Sequence, residues 1–139
     1  MIKPIPIAVR QLMSRDLVVA RPEDPIEKAD QIFMSYNIHH LPIVDKDGQL
    51  QGLVTKSDYA RLSRLLSLFK PAYEQVRMSD IMTRKLATIG PDEEVTEAAK
   101  VFQSNILHAL PVVDSGQLVG LITTHDLLGF LLEERKRLA

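Results

Sequence analysis

The chain has 139 residues and a mass of 15.7 kDa, with 45% hydrophobic and 25% charged side chains. At this length roughly 68–70% of the unfolded surface is buried on folding, so neither disulfide nor metal is needed as a staple. Seventeen Lys and Arg against eighteen Asp and Glu leave a net charge of -1, which argues against binding nucleic acid through a basic surface. With no cysteine, thiolate catalysis, Cys-ligated zinc and iron–sulfur clusters are excluded. Residues Met1 to Pro6 carry no long apolar run, so no secretory signal is expected. Nothing approaches the ~18 consecutive apolar residues of a membrane span. The expected compartment is the cytoplasm.

In chain order, Leu17–Ala20 is expected as a short strand that stops ahead of Pro22. Pro25 to Tyr36 puts Ile26, Ala29, Ile32, Phe33 and Tyr36 at helical spacing. The apolar run Leu41-Pro42-Ile43-Val44, an Asp/Gly turn and the run Leu53-Val54 read as a hairpin. A helix is expected from near Ser57. Between Ala60 and Arg77, Leu62, Leu65, Leu66 and Phe69 form an apolar stripe on a helix that should stop before Pro71. The stripe is free to pack on the rest of the chain or on another subunit.

The same series then recurs. At an offset of 69, Met13 falls on Met82, Arg15 on Arg84, Pro22 on Pro91, Ala29 on Ala98, Phe33 on Phe102 and His39 on His108. Leu41-Pro42 falls on Leu110-Pro111 and Val44-Asp45 on Val113-Asp114. One residue is lost in the second turn, where chains tolerate deletions. At an offset of 68, Gly48-Gln49-Leu50, Gly52-Leu53, Thr55 and Asp58 fall on Gly116-Gln117-Leu118, Gly120-Leu121, Thr123 and Asp126. The second copy thus predicts a strand at Leu86–Ile89, a helix through Val95, Ala98, Ala99, Val101 and Phe102, a hairpin, and a helix from near His125. Each copy is a β-α-β-β-α unit of α/β (α+β) class. A unit of ~50 residues is too small to bury its own faces, so the two should pack as a pair.

Two ordered sets carry a family resemblance. Each has Met-Ser/Thr, a β-run ending at Pro, His-x-Leu-Pro-Ile/Val-Val-Asp and Gly-Leu-Val/Ile-Thr-x-x-Asp. The last is Gly52-Leu53-Val54-Thr55-Lys56-Ser57-Asp58 and Gly120-Leu121-Ile122-Thr123-Thr124-His125-Asp126. The sequence resembles a tandem pair of cystathionine-β-synthase-type (CBS) domains, a Bateman module, here standing alone. The expected divisions are a first CBS domain at 8–60, a helical linker at 61–77, a second CBS domain at 78–132 and a charged tail at 133–139. The resemblance implies a pseudo-two-fold pair that binds an adenosine-containing ligand (AMP, ADP, ATP or S-adenosylmethionine) in the cleft between repeats. It also implies a homodimer acting as a sensor, with an unidentified protein target and no required cofactor.

The residues support that chemistry and a plainer one. Thr-x-x-Asp at a strand-to-helix junction is a capping box. The same carboxylate offers two acceptors, which suit the paired hydroxyls of a ribose. Asp58 and Asp126, with Thr55 and Thr123 beside them, are the ribose and phosphate contacts the resemblance implies. His39, His40, His108 and Lys56 are weaker candidates on the phosphate side. Val19, Ala20, Thr88 and Ile89 are weaker candidates for an adenine pocket, with core packing as the alternative. Family members that bind phosphorylated nucleotides often carry Arg one residue after this His; here those positions are His40 and Ala109. By histidine count, and with the halves sharing a cleft, the Asp126 site is expected to bind anions better. No His-Glu-x-x-His, Gly-x-Ser-x-Gly or P-loop is present, no metal-ligand spacing is found, and no enzyme activity is expected. The alternative function is a ligand-free dimerisation scaffold.

Overall fold

Two antiparallel hairpins organise the chain. The computed structural model describes residues 6–104 and 106–138; residues 1–5, where a leader was sought, and Ala139 of the tail lie outside it. The elements are α1 (Val9–Leu12), α2 (Ile26–Ser35), β1 (His40–Val44), β2 (Leu50–Thr55), α3 (Lys56–Leu66), α4 (Lys70–Gln75), α5 (Met78–Ile81), α6 (Val95–Gln103), β3 (Ala109–Asp114), β4 (Gln117–Thr123) and α7 (Thr124–Leu138). β1 pairs with β2 and β3 with β4, as expected from the two apolar runs and their Gly-containing turns.

The expected strands at 17–20 and 86–89 shrink to single parallel bridges, Ala20 beside Ile43 and Ile89 beside Val112. Ala20 donates its N–H to the Pro42 carbonyl at 3.1 Å and accepts the Val44 N–H at 2.9 Å. One step back, the ladder needs an N–H from Pro42; one step forward, it needs one from Pro22. Proline supplies neither. Pro111 and Pro91 block the second copy in the same way, around Ile89 N–H to the Pro111 carbonyl and Val113 N–H to the Ile89 carbonyl.

The helix expected from residue 57 toward Pro71 also divides. α3 ends at Leu66, and Pro71 lies in the first turn of α4, where the missing N–H would have had no helical partner. Leu66 packs on the core beneath, while Leu65, Leu68 and Phe69 stay exposed.

The chain forms two compact units, and they do not follow the sequence repeats. One unit is Val18–Leu86; the other joins the chain up to Leu17 with the chain from Ala87 onward. Each hairpin is therefore completed by a short segment of the other repeat. In the first unit Leu53 and Thr83 exchange backbone hydrogen bonds of 3.0 and 2.9 Å along the free edge of β2. Met78 N–H reaches the Asp24 carbonyl and Ile26 N–H the Val76 carbonyl. In the second unit Leu121 and Ser14 make the equivalent exchange on β4, Val9 N–H reaches Glu93 and Val95 N–H reaches Ile7. Arg10 adds an ion pair to Asp92 at 2.5 Å.

Each unit has its own core. The first buries Ile26, Ala29, Ile32 and Phe33 of α2 against Leu41, Ile43, Val54, Tyr59 and Met78. The second buries Val9, Ala98, Phe102, Leu110, Val112 and Ile122. Tyr59 distinguishes the first core. Its hydroxyl donates to Asp30 at 2.8 Å, and its ring lies 5.6 Å from that of Phe33. Burial, then the bond to Asp30, pushes the phenol's pKa above its ordinary 10.0. In the second repeat the matching residues are Leu127 and Ala99.

Gly52 and Gly120 allow the exchanged segments to approach. A Cβ on Gly120 would lie 2.5 Å from Met13 Sδ and 3.0 Å from the Ser14 carbonyl oxygen; one on Gly52 would meet Met82 Sδ at 2.7 Å. Gly120→Ala is expected to destabilise the chain by about 1–3 kcal/mol in urea unfolding, because overpacking here presses on backbone as well as side chain. Tyr59→Phe is expected to cost ~1 kcal/mol at neutral pH. Since the folded phenol's pKa is raised, its contribution is full below pH 10 and is lost as pH climbs above it toward the native value. The difference between wild type and Tyr59→Phe should shrink over that window in pH-dependent thermal melts.

Candidate functional site

Each β2-to-α3 type junction turns a strand directly into a helix, with threonine at the hinge. Thr55 has extended backbone (φ -89°, ψ 150°) and its Oγ1 accepts the Asp58 N–H at 3.1 Å. Thr123 Oγ1 accepts the Asp126 N–H at 3.2 Å. Both threonines therefore cap their helices, which satisfies one of the free N–H groups of the first turn.

The histidines meet these junctions through their main chain. The His39 carbonyl accepts the Lys56 N–H at 2.8 Å, and the His108 carbonyl accepts the Thr124 N–H at 3.0 Å. In the strand register His40 lies opposite Thr55 and Ala109 opposite Thr123. The first unit thus brings His39, His40, Thr55, Lys56 and Asp58 to the open end of its hairpin. The second brings His108, Thr123 and Asp126 to the same place on its own hairpin. His39 and His108 are exposed; His40 and Lys56 are half-buried.

The residues considered for an adenine pocket separate by pleat. Ala20 is 2% and Ile89 6% exposed, and both belong to hydrophobic cores. Val19 and Thr88, their neighbours, face outward. Alternation along an extended segment makes this division unavoidable. At these positions Val19 and Thr88 offer side chains to solvent, whereas Ala20 and Ile89 offer only backbone. Among the described residues no group of three His, Asp or Glu is placed to hold a metal ion.

The two carboxylates differ. Asp126 Oδ2 accepts the Thr123 N–H at 2.9 Å, completing a reciprocal capping box. Asp58 instead pairs with the Arg61 guanidinium, one helical turn on. Arg61 is not part of any motif shared by the repeats, since Gly129 stands in its place in the second copy. The signal for it was available as an Asp–Arg spacing of three on a helix.

The profile of the CBS domain matches residues 9–64 and 78–133. A CBS domain-containing protein of Dictyostelium discoideum is 33% identical over 136 residues, covering 91% of this chain and 92% of that protein. An inosine-5'-monophosphate dehydrogenase of Thermoplasma acidophilum is 36% identical over 118 residues, 84% of this chain. The chain spans only 22% of that enzyme's length. Among solved structures, the CBS domain pair of protein MJ0100, in complex with 5'-methylthioadenosine and S-adenosyl-L-methionine, aligns with a TM-score of 0.78 at 29% identity. It covers 94% of this chain and 99% of that one. A putative acetoin utilization protein (AcuB) from Vibrio cholerae shares the fold, with a TM-score of 0.82, 24% identity and 95% of both chains covered. Doubled threonine caps, doubled hairpins and these matches lead to one assignment: the chain belongs to the CBS domain family and carries two CBS domains in tandem.

Proposed function

We propose that this CBS pair is a regulatory module that binds an adenosine-containing ligand: AMP, ADP, ATP or S-adenosylmethionine. The observation that carries the reading is the Thr-x-x-Asp junction, present once in each unit. It sets an ionised carboxylate beside the first turn of a helix, where a ribose diol and a phosphate find complementary groups. Asp58 and Asp126 take the ribose hydroxyls, with Thr55 and Thr123 beside them. Lys56, His39, His40 and His108 lie on the phosphate side. The base stacks on Val19 or Thr88 and meets the backbone of Ala20 or Ile89. The 29%-identical neighbour solved with two adenosine-containing ligands supports this choice of ligand class. The chain itself performs no catalysis; in its longer enzyme relatives the matched stretch is a fraction of the whole. Ligand binding signals only if it favours one of two states, and the partner that reads the state is a protein target.

Two copies pair through α7, whose Leu128, Leu131 and Leu132 are each about 60% exposed. These positions lie within one turn of each other and present an apolar stripe that solvent does not favour. Leu131→Glu is expected to convert the dimer to monomer in sedimentation velocity; an unchanged sedimentation coefficient would place the contact elsewhere.

The reciprocal box at Thr123 and Asp126 favours a second reading, in which the motif only caps helices and the pair is a scaffold. A thermal-shift panel with AMP, ADP, ATP and S-adenosylmethionine separates them. At ~100 times its dissociation constant a ligand stabilises by ~2.7 kcal/mol, a shift of several degrees. The sensor reading expects such a shift, reduced in Asp58→Ala or Asp126→Ala and lost in the double variant. Without ligand, Asp126→Ala is expected to cost ~1 kcal/mol through the lost hydrogen bond to the Thr123 N–H, and Asp58→Ala under about 0.5 kcal/mol, because it loses only an exposed ion pair. Flat curves with all four ligands would favour the scaffold, or a ligand outside the adenosine class.

A further inference from the structure

The two units carry the same motif in different electrostatic settings. In the first, Lys56 follows the capping threonine and Arg61 pairs with Asp58. In the second, the corresponding positions are Thr124 and Gly129, and the Asp126 carboxylate is turned back to its own cap. Two permanent positive charges therefore flank the first motif in the opening turns of α3, and their counterparts on α7 are neutral.

Arg61 is placed to use its charge. Helical side chains lean toward the N-terminus, so a residue three positions after Asp58 covers the first turn of α3. Free N–H groups and the helix dipole already favour an anion there. The pair to Asp58 is solvent-exposed, with side chains 45% and 73% accessible, and exposed pairs at this spacing are weak. A ribose diol can displace the guanidinium from the carboxylate at little cost. The freed fork then has the geometry to hold a phosphate through two parallel hydrogen bonds. Gly129 has no side chain and offers nothing comparable.

Resting on the nucleotide reading above, we infer that Arg61 determines ligand specificity in the first unit. It gives up Asp58 to the ribose and takes the ligand's phosphate, so that unit selects phosphorylated adenosine ligands. The unit carrying Asp126 and Gly129 does not discriminate by phosphate. This orders the two sites opposite to the sequence expectation, which counted histidines across a shared cleft and left Arg61 out.

Isothermal titration with AMP and adenosine, which differ only in the phosphate, tests the assignment on the full chain. In an Asp126→Ala background, which leaves the first motif intact, AMP is expected to bind about tenfold or more tightly than adenosine. Adding Arg61→Gln should bring the two affinities together by weakening AMP and sparing adenosine. In an Asp58→Ala background, Gly129→Arg should create a preference for AMP of similar size; a gain cannot be the product of misfolding. Binding of both ligands with a ratio indifferent to Arg61→Gln and Gly129→Arg overturns the role of Arg61 and leaves the nucleotide reading standing. Failure of wild type to bind either AMP or adenosine overturns the role of Arg61, and the nucleotide reading falls with it only if the four-ligand thermal-shift panel is also flat.

Discussion

Leu53 and Thr83 exchange two backbone hydrogen bonds, as do Leu121 and Ser14, and each unit is built around that closure. A two-stranded hairpin leaves unpaired N–H and C=O groups along both edges, and burying them without partners is costly. On one edge Ala20 or Ile89 supplies a single parallel bridge. On the other, the chain turns to a segment from the opposite repeat. The glycines at 52 and 120 sit where that segment arrives, because any side chain there would meet a methionine and a carbonyl oxygen. Neither repeat by itself is a finished structure, which gives duplication a physical rationale.

The same economy builds the site. The strand that the exchanged segment closes runs without a loop into the helix that carries the Thr-x-x-Asp motif. Threonine ends the strand, caps the helix and stands beside the carboxylate. His39 or His108 then pins the junction through its carbonyl. A ligand at this point would meet groups already fixed by secondary structure, with little ordering left to do. That is the condition under which a small surface binds tightly.

Matching backbone hydrogen bonds do not make identical sites. Asp126 spends one oxygen on the Thr123 N–H, and Asp58 turns toward Arg61. The first core adds the Tyr59–Asp30 bond directly after Asp58 in sequence, and the second has Leu127 and Ala99 there. At the starts of α3 and α7 the repeats differ in charge, Lys56 and Arg61 against Thr124 and Gly129, while the hairpins behind them keep the same pairing.

The hairpins, the principal helices and the doubled motif were legible in the sequence, because period and turn chemistry are local and the repetition displayed each signal twice. The threonine caps were legible for the same reason. Other features were decided by tertiary structure. Prolines at 22, 42, 91 and 111 removed the N–H groups that the expected strands at 17–20 and 86–89 required, a fact visible only once the pairing partner was known. The exchange of segments 7–14 and 76–83 between repeats left no periodic trace, since it depends on which edge is open in three dimensions. The settings of Asp58 and Asp126 were legible only in part: the Asp58–Arg61 spacing of three stands in the sequence, but whether a carboxylate turns to its cap N–H or to a guanidinium is chosen by distances that sequence order does not state.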